Sequence, residues 1–517
     1  MITRCSVRPS QYHDSVTLME VAREMMGLSG VMDGAAVMAT EANKAILREA
    51  GMLVPEVEAA TANDLAIVVQ ADTEEAARQA LELAERHLAR QRQGAGVTSR
   101  PRTLRGAVRN APQANLAIIS VPGQYAAAEA WEALRNGLHV FLFSDNVPLK
   151  DEIALKRYAA DHGLLMMGPD CGTAILNGVA LGFANVVPRG PVGIVAAAGT
   201  GLQEVSTFLA RRDVGISQAI GTGGRDLTEA VGGIAMLEGL KALQHGDPAT
   251  EVLVLISKPP APGVARRVLE QVGAGDKPTV ACFLGGDPAP IAAVGAIPAA
   301  TLQEAAYLAA AEVEGQVDSP VDEVIECETV DLQAQALELK DQLTFKQRAL
   351  RGLFSGGTLA AEALVVWREI VGDVRSNVPL DPRLALEDPT RSQGHTAVDL
   401  GAGEFTRGRP HPMIDNDLRI RRLMAEAADP TVAVIVLDVV LGYGAHPDPA
   451  RELGAAIRAA RAQAAGEGRQ LVVVASVTGT EEDPQRLSQQ VQALEDAGAV
   501  VASCNAAAAR LAGFTIR

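Results

Sequence analysis

The chain has 517 residues, 63 acidic and 46 basic side chains, a formal charge of −17, and 48% hydrophobic against only 3% aromatic residues. This composition is too apolar and, at 21% charged residues, too weakly charged for a disordered chain. The acidic balance speaks against a general nucleic-acid or anionic-membrane surface, although a local basic site stays open.

At about 150 residues per domain the length suggests three or four domains. Short apolar runs recur in chain order: Leu65–Val69, Leu116–Val121, Val140–Phe143, Val192–Ala197, Val252–Ile256, Thr279–Leu284, Leu350–Phe354, Val432–Val440 and Leu471–Ala475. Runs apolar on both faces suit strands of parallel sheets covered by helices. Alternation with Ala-rich helical patterns predicts a multidomain α/β chain. The polar, basic stretch 90–105, the break Val187-Pro188-Arg189-Gly190-Pro191 and the acidic segment 313–342, partly helical, mark joints. Four units follow: a small α/β domain at 1–100, a second unit at 101–188, and two flavodoxin-like domains at 189–312 and 343–517, with 313–342 as linker.

The last two units read as versions of one another. Gly193-Ile-Val-Ala-Ala-Ala-Gly-Thr-Gly-Leu-Gln-Glu-Val205 and Gly352-Leu-Phe-Ser-Gly-Gly-Thr-Leu-Ala-Ala-Glu-Ala-Leu364 are each a strand, a Gly-Thr turn and an amphipathic helix. Each unit then places a buried strand after an Asp-Pro turn, Asp247-Pro248 or Asp429-Pro430, and closes with a strand and a Gly-containing loop. The matched order predicts duplication of a flavodoxin-like sheet.

A Gly-rich strand-to-helix turn leaves backbone N–H groups unpaired at the positive end of a helix, where phosphate or carboxylate binds. Gly199, Thr200 and Gly201 form one such turn, and Gly356, Gly357 and Thr358 the other. The alternative is that the glycines only permit a tight turn and close packing. If the two sheets face each other, both helix ends converge on one anion. A third segment, Ile216 to Leu227, is read as a loop: Gly221, Gly223 and Gly224 free the backbone, and Arg225 offers a forked cation. Its alternative is a surface ion pair between Arg225 and Asp226.

Neither turn matches a P-loop, and Gly-x-Gly-x-x-Gly is missing after Leu116–Val121, so NAD is not expected. Cys171 has no neighbouring His or Lys, which favours a buried structural thiol. The eight histidines are scattered, with no His/Cys pair at ligand spacing, and no metal is expected. In the last unit, 394–415 gathers His395, Asp399, Glu404, Arg407, Arg409, His411 and Asp415, and Leu441–Asp448 carries His446 beyond a strand end. Arg407 and Arg409 could clamp an anion, and His411 or His446 could move protons; ordinary loop residues are the alternative. No run reaches the ~18 apolar residues of a membrane span. Five cysteines without paired spacing and a start, Met1 to Ser6, without an apolar leader core make a cytoplasmic protein the expectation.

Gly168-Pro-Asp-Cys-Gly-Thr, Gly199-Thr-Gly-Leu-Gln-Glu, Ser217-Gln-Ala-Ile-Gly-Thr-Gly-Gly-Arg-Asp, Leu353-Phe-Ser-Gly-Gly-Thr-Leu, Gly408-Arg-Pro-His-Pro-Met-Ile-Asp and Asp438-Val-Val-Leu-Gly-Tyr-Gly-Ala-His-Pro-Asp-Pro are similar to the FdrA family, whose fold resembles succinyl-CoA synthetase. The likeness covers nearly the whole chain. It implies a CoA-binding-like Rossmann domain at 101–188, an α-subunit-type ligase domain and a β-subunit-type one. Succinyl-CoA synthetases relay phosphate through a histidine after the third strand of the α-type domain. Here that region reads Phe283-Leu-Gly-Gly-Asp-Pro-Ala-Pro, no His occurs between His245 and His395, and no ATP-grasp domain is present.

The family also looks like the scaffold of a multi-subunit carbamoyltransferase of purine and allantoin breakdown, which interconverts oxalurate plus phosphate with oxamate plus carbamoyl phosphate. The expectation is a subunit of such an oligomeric complex. Phosphate or carbamoyl phosphate would sit in the cradle of Gly199, Thr200, Gly201, Gly223, Gly224, Arg225, Gly356, Gly357 and Thr358, with Arg409, His411 and His446 as catalytic groups. The alternatives are an acyl-CoA synthetase, with CoA at Pro122-Gly123-Gln124 and Asn146-Val147-Pro148, and a non-catalytic scaffold.

Overall fold

The computed structural model describes residues 2–11, 13, 15–93, 101, 103–316, 321–406 and 410–517. Two compact units emerge, one within the first 112 residues together with Thr406 and Pro410, and one made of Gln113–Phe405 and His411–Arg517.

The first unit runs β1 (Ile2–Arg8), α1 (Ser15–Met26), β2 (Val31–Met38), α2 (Glu41–Glu49), α3 (Pro55–Glu58), β3 (Leu65–Ala71), α4 (Glu74–Gln93) and α5 (Leu104–Asn110). Its sheet has the order β1-β3-β2 and is antiparallel, not parallel as the run Leu65–Val69 suggested. The reason lies in what covers β3. Leu65, Ile67 and Val69 pack with α1 and α4, while Ala66 and Val68 pack with Leu47, Met52 and Val57. Helical cover on both faces makes a central strand wholly apolar whatever its neighbours' direction.

The second unit opens with β4 (Leu116–Ile119), α6 (Gly123–Arg135), β5 (His139–Leu142), α7 (Leu149–Asp161) and β6 (Met166–Met167), a small parallel sheet β4-β5-β6. The hairpin β7 (Thr173–Leu176) and β8 (Val179–Gly182) then joins the next sheet, pairing antiparallel with β10. That sheet is built from β9 (Arg189–Ala196), α8 (Gly199–Ala210), β10 (Ile216–Gly221), α9 (Ile234–Lys241), β11 (Val252–Ser257), α10 (Pro262–Gly273), β12 (Thr279–Phe283), α11 (Ala289–Ala293), β13 (Ile297–Pro298) and α12 (Leu302–Val313). After α13 (Val321–Lys340) come β14 (Ala349–Phe354), α14 (Gly357–Ile370), β15 (Arg375–Ser376), β16 (Thr396–Asp399), α15 (Gly403–Thr406), α16 (Asp417–Ala427), β17 (Val432–Val440), α17 (Pro449–Gly466), β18 (Val472–Thr478), α18 (Leu487–Asp496), β19 (Val500–Ala502) and α19 (Asn505–Ile516).

Both large sheets share one topology. The first has the order β13-β12-β11-β9-β10, extended by the hairpin, and the second β15-β16-β14-β17-β18-β19. Counted within each domain, and setting aside the two-residue strand β15, both read 2-1-3-4-5, the flavodoxin order. The sequence reading of 216–227 as one loop needs correction: Ile216–Gly221 is strand β10, and its Ile216, Ala219 and Ile220 are buried. Ser217, Gln218 and Gly221 mask the run. Ser217 bonds Thr250 at 2.6 Å inside the core, and a Cβ at Gly221 would stand 2.6 Å from Cys171 Sγ. Thr396–Asp399, likewise expected among polar loop residues, is the buried strand β16.

The two large domains share a core in which side chains of α8 and α12 pack with those of α14 and α19. Two buried glutamates, each five residues beyond the glycine that opens its helix, tie the domains reciprocally. Glu204 on α8 accepts from the Asn505 N–H at the start of α19 (3.0 Å), and Glu362 on α14 accepts from the Leu302 N–H at the start of α12 (2.6 Å). Each carboxylate caps the positive end of the other domain's closing helix.

Candidate active site

The two strand-to-helix junctions meet. A Cβ on Gly356 would lie 2.5 Å from both Cγ2 and Oγ1 of Thr200, and one on Gly201 would lie 2.8 Å from Thr358 Cγ2. Each threonine therefore rests on the opposite junction's glycine, and only hydrogen allows that approach. Gly356 has φ −127°, so the need for glycine there is one of space. Neither helix has a side-chain cap. The first-turn amides of Gly199, Thr200 and Gly201, and of Gly357, Thr358 and Leu359, have no partner in their helices. Gly199 and Gly357 are the half-exposed members of the two turns, so access from solvent is at these two residues.

The junctions differ in charge. At α14, Asp438 at the end of the buried strand β17 accepts from Ser355 N (2.8 Å), Gly356 N (3.1 Å) and Ser355 Oγ (2.9 Å). It also pairs with the buried Arg419 at 3.0 Å. This carboxylate answers part of the helix's demand for an anion from within the chain. Asp399, at the end of β16, has Oδ2 2.5 Å from the Cβ position of Gly357, and Lys258 Nζ lies 3.2 Å from the same point. Burial pushes the Asp399 carboxyl up to about 6, against the pull of Lys258 and the Gly401 N–H. Asp170 is likewise pushed up to about 6, chiefly by burial and then by Asp145.

His411 faces this cluster. Its Nδ1 accepts from the Met413 N–H at 3.2 Å, which leaves the hydrogen on Nε2. Nε2 is 2.6 Å from the Cβ position of Gly401, whose N–H donates to Asp399 Oδ1 at 2.9 Å. Burial, reinforced by Arg419, lowers the imidazole to about 4. His411 is therefore neutral at pH 7 and offers an N–H donor rather than a cation.

Other expected residues are placed differently. Arg225 Nη2 is 2.9 Å from Glu152 Oε2 and donates to Val147 O at 2.8 Å, so that part of the guanidinium serves the joint with α7. Asp226 is fully buried, pairs with Lys156 at 2.8 Å and accepts from Ala235 N and Met236 N at the start of α9. A Cβ on Gly223 would collide with Pro169 O, and Gly224 lines a cavity at the carboxyl ends of β9 and β11. His446 uses both ring nitrogens: Nδ1 accepts from Asp448 N at 3.0 Å, and Nε2 is 3.3 Å from Glu452. Arg409, with Arg407, lies outside the described residues. Cys171 is buried, its thiol pushed up to about 12 and bonded to Gly221 O at 3.3 Å.

Lys258 was missed by sequence reasoning, and Asp399 and Asp438 were seen without their role. One signal was present: Lys258 is a cation directly beyond a wholly buried strand and before Pro259-Pro260, at the strand end where ligands of open α/β sheets bind.

Fold and junctions together define a protein of the succinyl-CoA-synthetase-like class. Residues 353–515 match the CoA-ligase family model, 189–285 the CoA binding domain, and 1–102 the model described as AllF, heavy metal-associated domain. Over 503 residues the chain is 46% identical to the uncharacterized protein YahF of Escherichia coli (strain K12), covering 97% of this chain and 96% of that protein; it belongs to the YahF family. It is also 29% identical over 147 residues to the succinate–CoA ligase [ADP-forming] subunit alpha of Methanothermobacter thermautotrophicus, covering 28% of this chain and 48% of that subunit. With the same subunit of Staphylococcus aureus (strain N315) it shares 29% over 189 residues, 35% of this chain and 60% of the subunit. The chain thus aligns with about half of each of these ligase subunits.

These names imply two groups, a metal ion and CoA. Among the described residues no three His, Cys, Asp or Glu side chains are grouped to hold a metal ion. Cys5, the sole cysteine of the first 102 residues, packs partly buried beside an apolar cluster, and burial raises its thiol. A thiolate-held metal does not fit there. For CoA, α6 begins directly after β4 at Gly123, but a Cβ on Gly123 would collide with Asp145 O. That glycine, in the 101–188 segment where CoA was expected, serves packing against a carbonyl rather than access for a pyrophosphate; the residues that match the CoA binding domain are 189–285, and no step of the reaction is routed through CoA. No described helix is long and apolar enough to cross a membrane.

Proposed function

We propose that the chain is an enzyme subunit of the CoA-ligase class that transfers an acyl group to or from phosphate, with the phosphoryl group docked at the open amides of Gly199 and Gly357. The observation that carries this reading is the contact between the two junctions, which brings two helix N-termini with unpaired amides to one place. Such preorganised donors stabilise charge that develops on phosphate or on an acyl oxygen. Asp399, poised near neutrality, can hold or release the proton, and neutral His411 donates from Nε2. Kinship with subunits named succinate–CoA ligase supports the ligase form of the reaction.

A second reading is favoured by one observation: no histidine lies between His245 and His395. The loop after β12 therefore offers no imidazole to carry phosphate covalently, and direct attack by phosphate suits the residues better. This is the carbamoyl transfer implied by the likeness to the FdrA family. A phosphate oxygen bonds to the ureido carbon of oxalurate, the bond from that carbon to the oxalyl amide nitrogen breaks, and the nitrogen takes a proton to leave oxamate. In this reading the chain works with partner subunits. Phosphorus NMR of the full chain should show saturable binding of inorganic phosphate that is lost in Gly199→Pro. Turnover of oxalurate with phosphate to carbamoyl phosphate would support the carbamoyl reading, and acyl phosphate plus CoA giving acyl-CoA the ligase reading. Absence of phosphate binding would overturn both.

A further inference from the structure

A cavity of about 320 Å3 opens at the carboxyl ends of β9 and β11, lined by Ala197, Gly224, Thr228, Glu229, Ser257 and Lys258 among others. It lies where the strand order reverses, β10 and β11 flanking β9, which is the ligand crevice of open α/β sheets. Its volume is at the small end of small-molecule sites. Lys258 is exposed, and its ammonium makes no hydrogen bond or ion pair with any described residue. It links the cavity to the junctions, since Nζ also stands over Gly357. Glu229 is likewise unpaired among the described residues, and its oxygens lie 3.7 and 3.8 Å from the Cβ position of Gly263, in the first turn of α10. The carboxylate stands at the positive end of that helix, in the lining of the cavity. A single small cavity thus presents one basic side chain beside the phosphate-facing junction and one acidic side chain within its lining.

We propose that this cavity is the subsite for the organic half of the substrate: a small molecule with a carboxylate at Lys258 and an N–H donor group, an amide, ureide or amine, at Glu229. The assignment rests on the junction reading, because only that reading puts phosphate next to Lys258. The paired charges select against two classes. A dicarboxylate would set its second charge against Glu229, and a neutral amide would bring no charge to Lys258, whose other negative neighbour is Asp399.

Calorimetric titration of the full chain with succinamate, succinate, butyrate and succinamide, and separately with inorganic phosphate, tests this. Succinamate should bind tightest in the wild type. Lys258→Gln should weaken succinamate roughly ten- to hundredfold, the worth of a charge-assisted hydrogen bond, and leave succinamide unchanged; Lys258→Arg should keep succinamate binding. Glu229→Gln should let succinate bind as tightly as succinamate. Both positions are exposed, so melting temperatures should not move and folding does not confuse the result. If phosphate binds but none of the four organic ligands does, or if Lys258→Gln binds all four as the wild type does, the subsite is overturned while the junction reading stands. If phosphate itself does not bind, the junction reading falls and takes the subsite with it.

Discussion

Gly356→Ala isolates the contact between the two junctions. The new Cβ would stand 2.5 Å from Oγ1 and Cγ2 of Thr200 and 2.8 Å from its Cβ, well inside van der Waals separation. Backbone conformation adds no penalty, because φ −127° and ψ 121° suit alanine. Overpacking of a well-filled site costs about 1–3 kcal/mol, and the lower entropy of the unfolded alanine chain offsets roughly 0.4–1 kcal/mol of it. A net loss of about 1–2 kcal/mol remains. For a domain of this size that lowers the melting temperature by roughly 2–8 °C.

Thr200→Ala removes the two closest atoms and leaves only the contact at 2.8 Å. In that background Gly356→Ala should cost at most half as much, a coupling of about 0.5–1 kcal/mol. Scanning calorimetry of the four chains measures it, with the same transition compared throughout because a chain of several domains does not unfold in two states. An equal drop in both backgrounds would show that Thr200 does not rest on Gly356. The converged junctions, and the phosphate site built on them, would then be wrong.

Burial, and after it Glu204, pushes Glu362 up to about 7 from an ordinary 4.5. Between those values the folded chain keeps a proton that the unfolded chain has lost, so stability falls as pH rises from about 4.5 to 7 and levels off above. Glu362→Gln should flatten that fall between pH 5 and pH 8 in calorimetry; an unaltered slope would rule Glu362 out as its source. Lys156 is fully buried between Glu152 (2.9 Å) and Asp226 (2.8 Å). Lys156→Met takes the cation from buried Asp226 and leaves Glu152 only its contact with Arg225, and should cost about 3–5 kcal/mol, read as a lower melting temperature; a shift under about 1 °C would contradict the pairing.

The strands were legible wherever burial on both faces made them continuously apolar, as at Val432–Val440 and Val252–Ser257. β10 and β16 were not, because polar residues that bond inside the core and glycines that admit a neighbouring backbone imitate a loop. The paired Gly-Thr turns were legible as a repeated pattern, since duplication preserves order. Their contact was not, because spacing along the chain carries no distance between domains. Arg225 and His446 had the right chemistry for a site, yet a cation or imidazole on a Gly-rich loop reads the same whether it meets a ligand or a neighbouring carboxylate. Glu204 and Glu362 read as ordinary helix carboxylates, and only the reciprocal capping of α19 and α12 shows why both helices carry a buried acid at the same place.

The shared topology of the two large domains gives them equivalent helix ends, but the surrounding charges break the equivalence. The α14 end already holds Asp438 on Ser355 and Gly356, with Asp399 over Gly357, whereas among the described residues no carboxylate accepts from the first amides of α8, which faces the Thr173 hydroxyl beyond Gly199. An incoming dianion meets fewer competing charges at Gly199 than at Gly357, and at Gly357 it meets Lys258 beside Asp399. The favourable pose therefore sets the more charged phosphoryl oxygens toward α8 and directs the bond to be made or broken toward Asp399 and Lys258. Protonation of Asp399 below about pH 6 removes a repulsion at that end, so phosphate affinity at the cleft should rise as pH falls through that value in the wild type and stay flat in Asp399→Asn, once the titration of phosphate itself is subtracted.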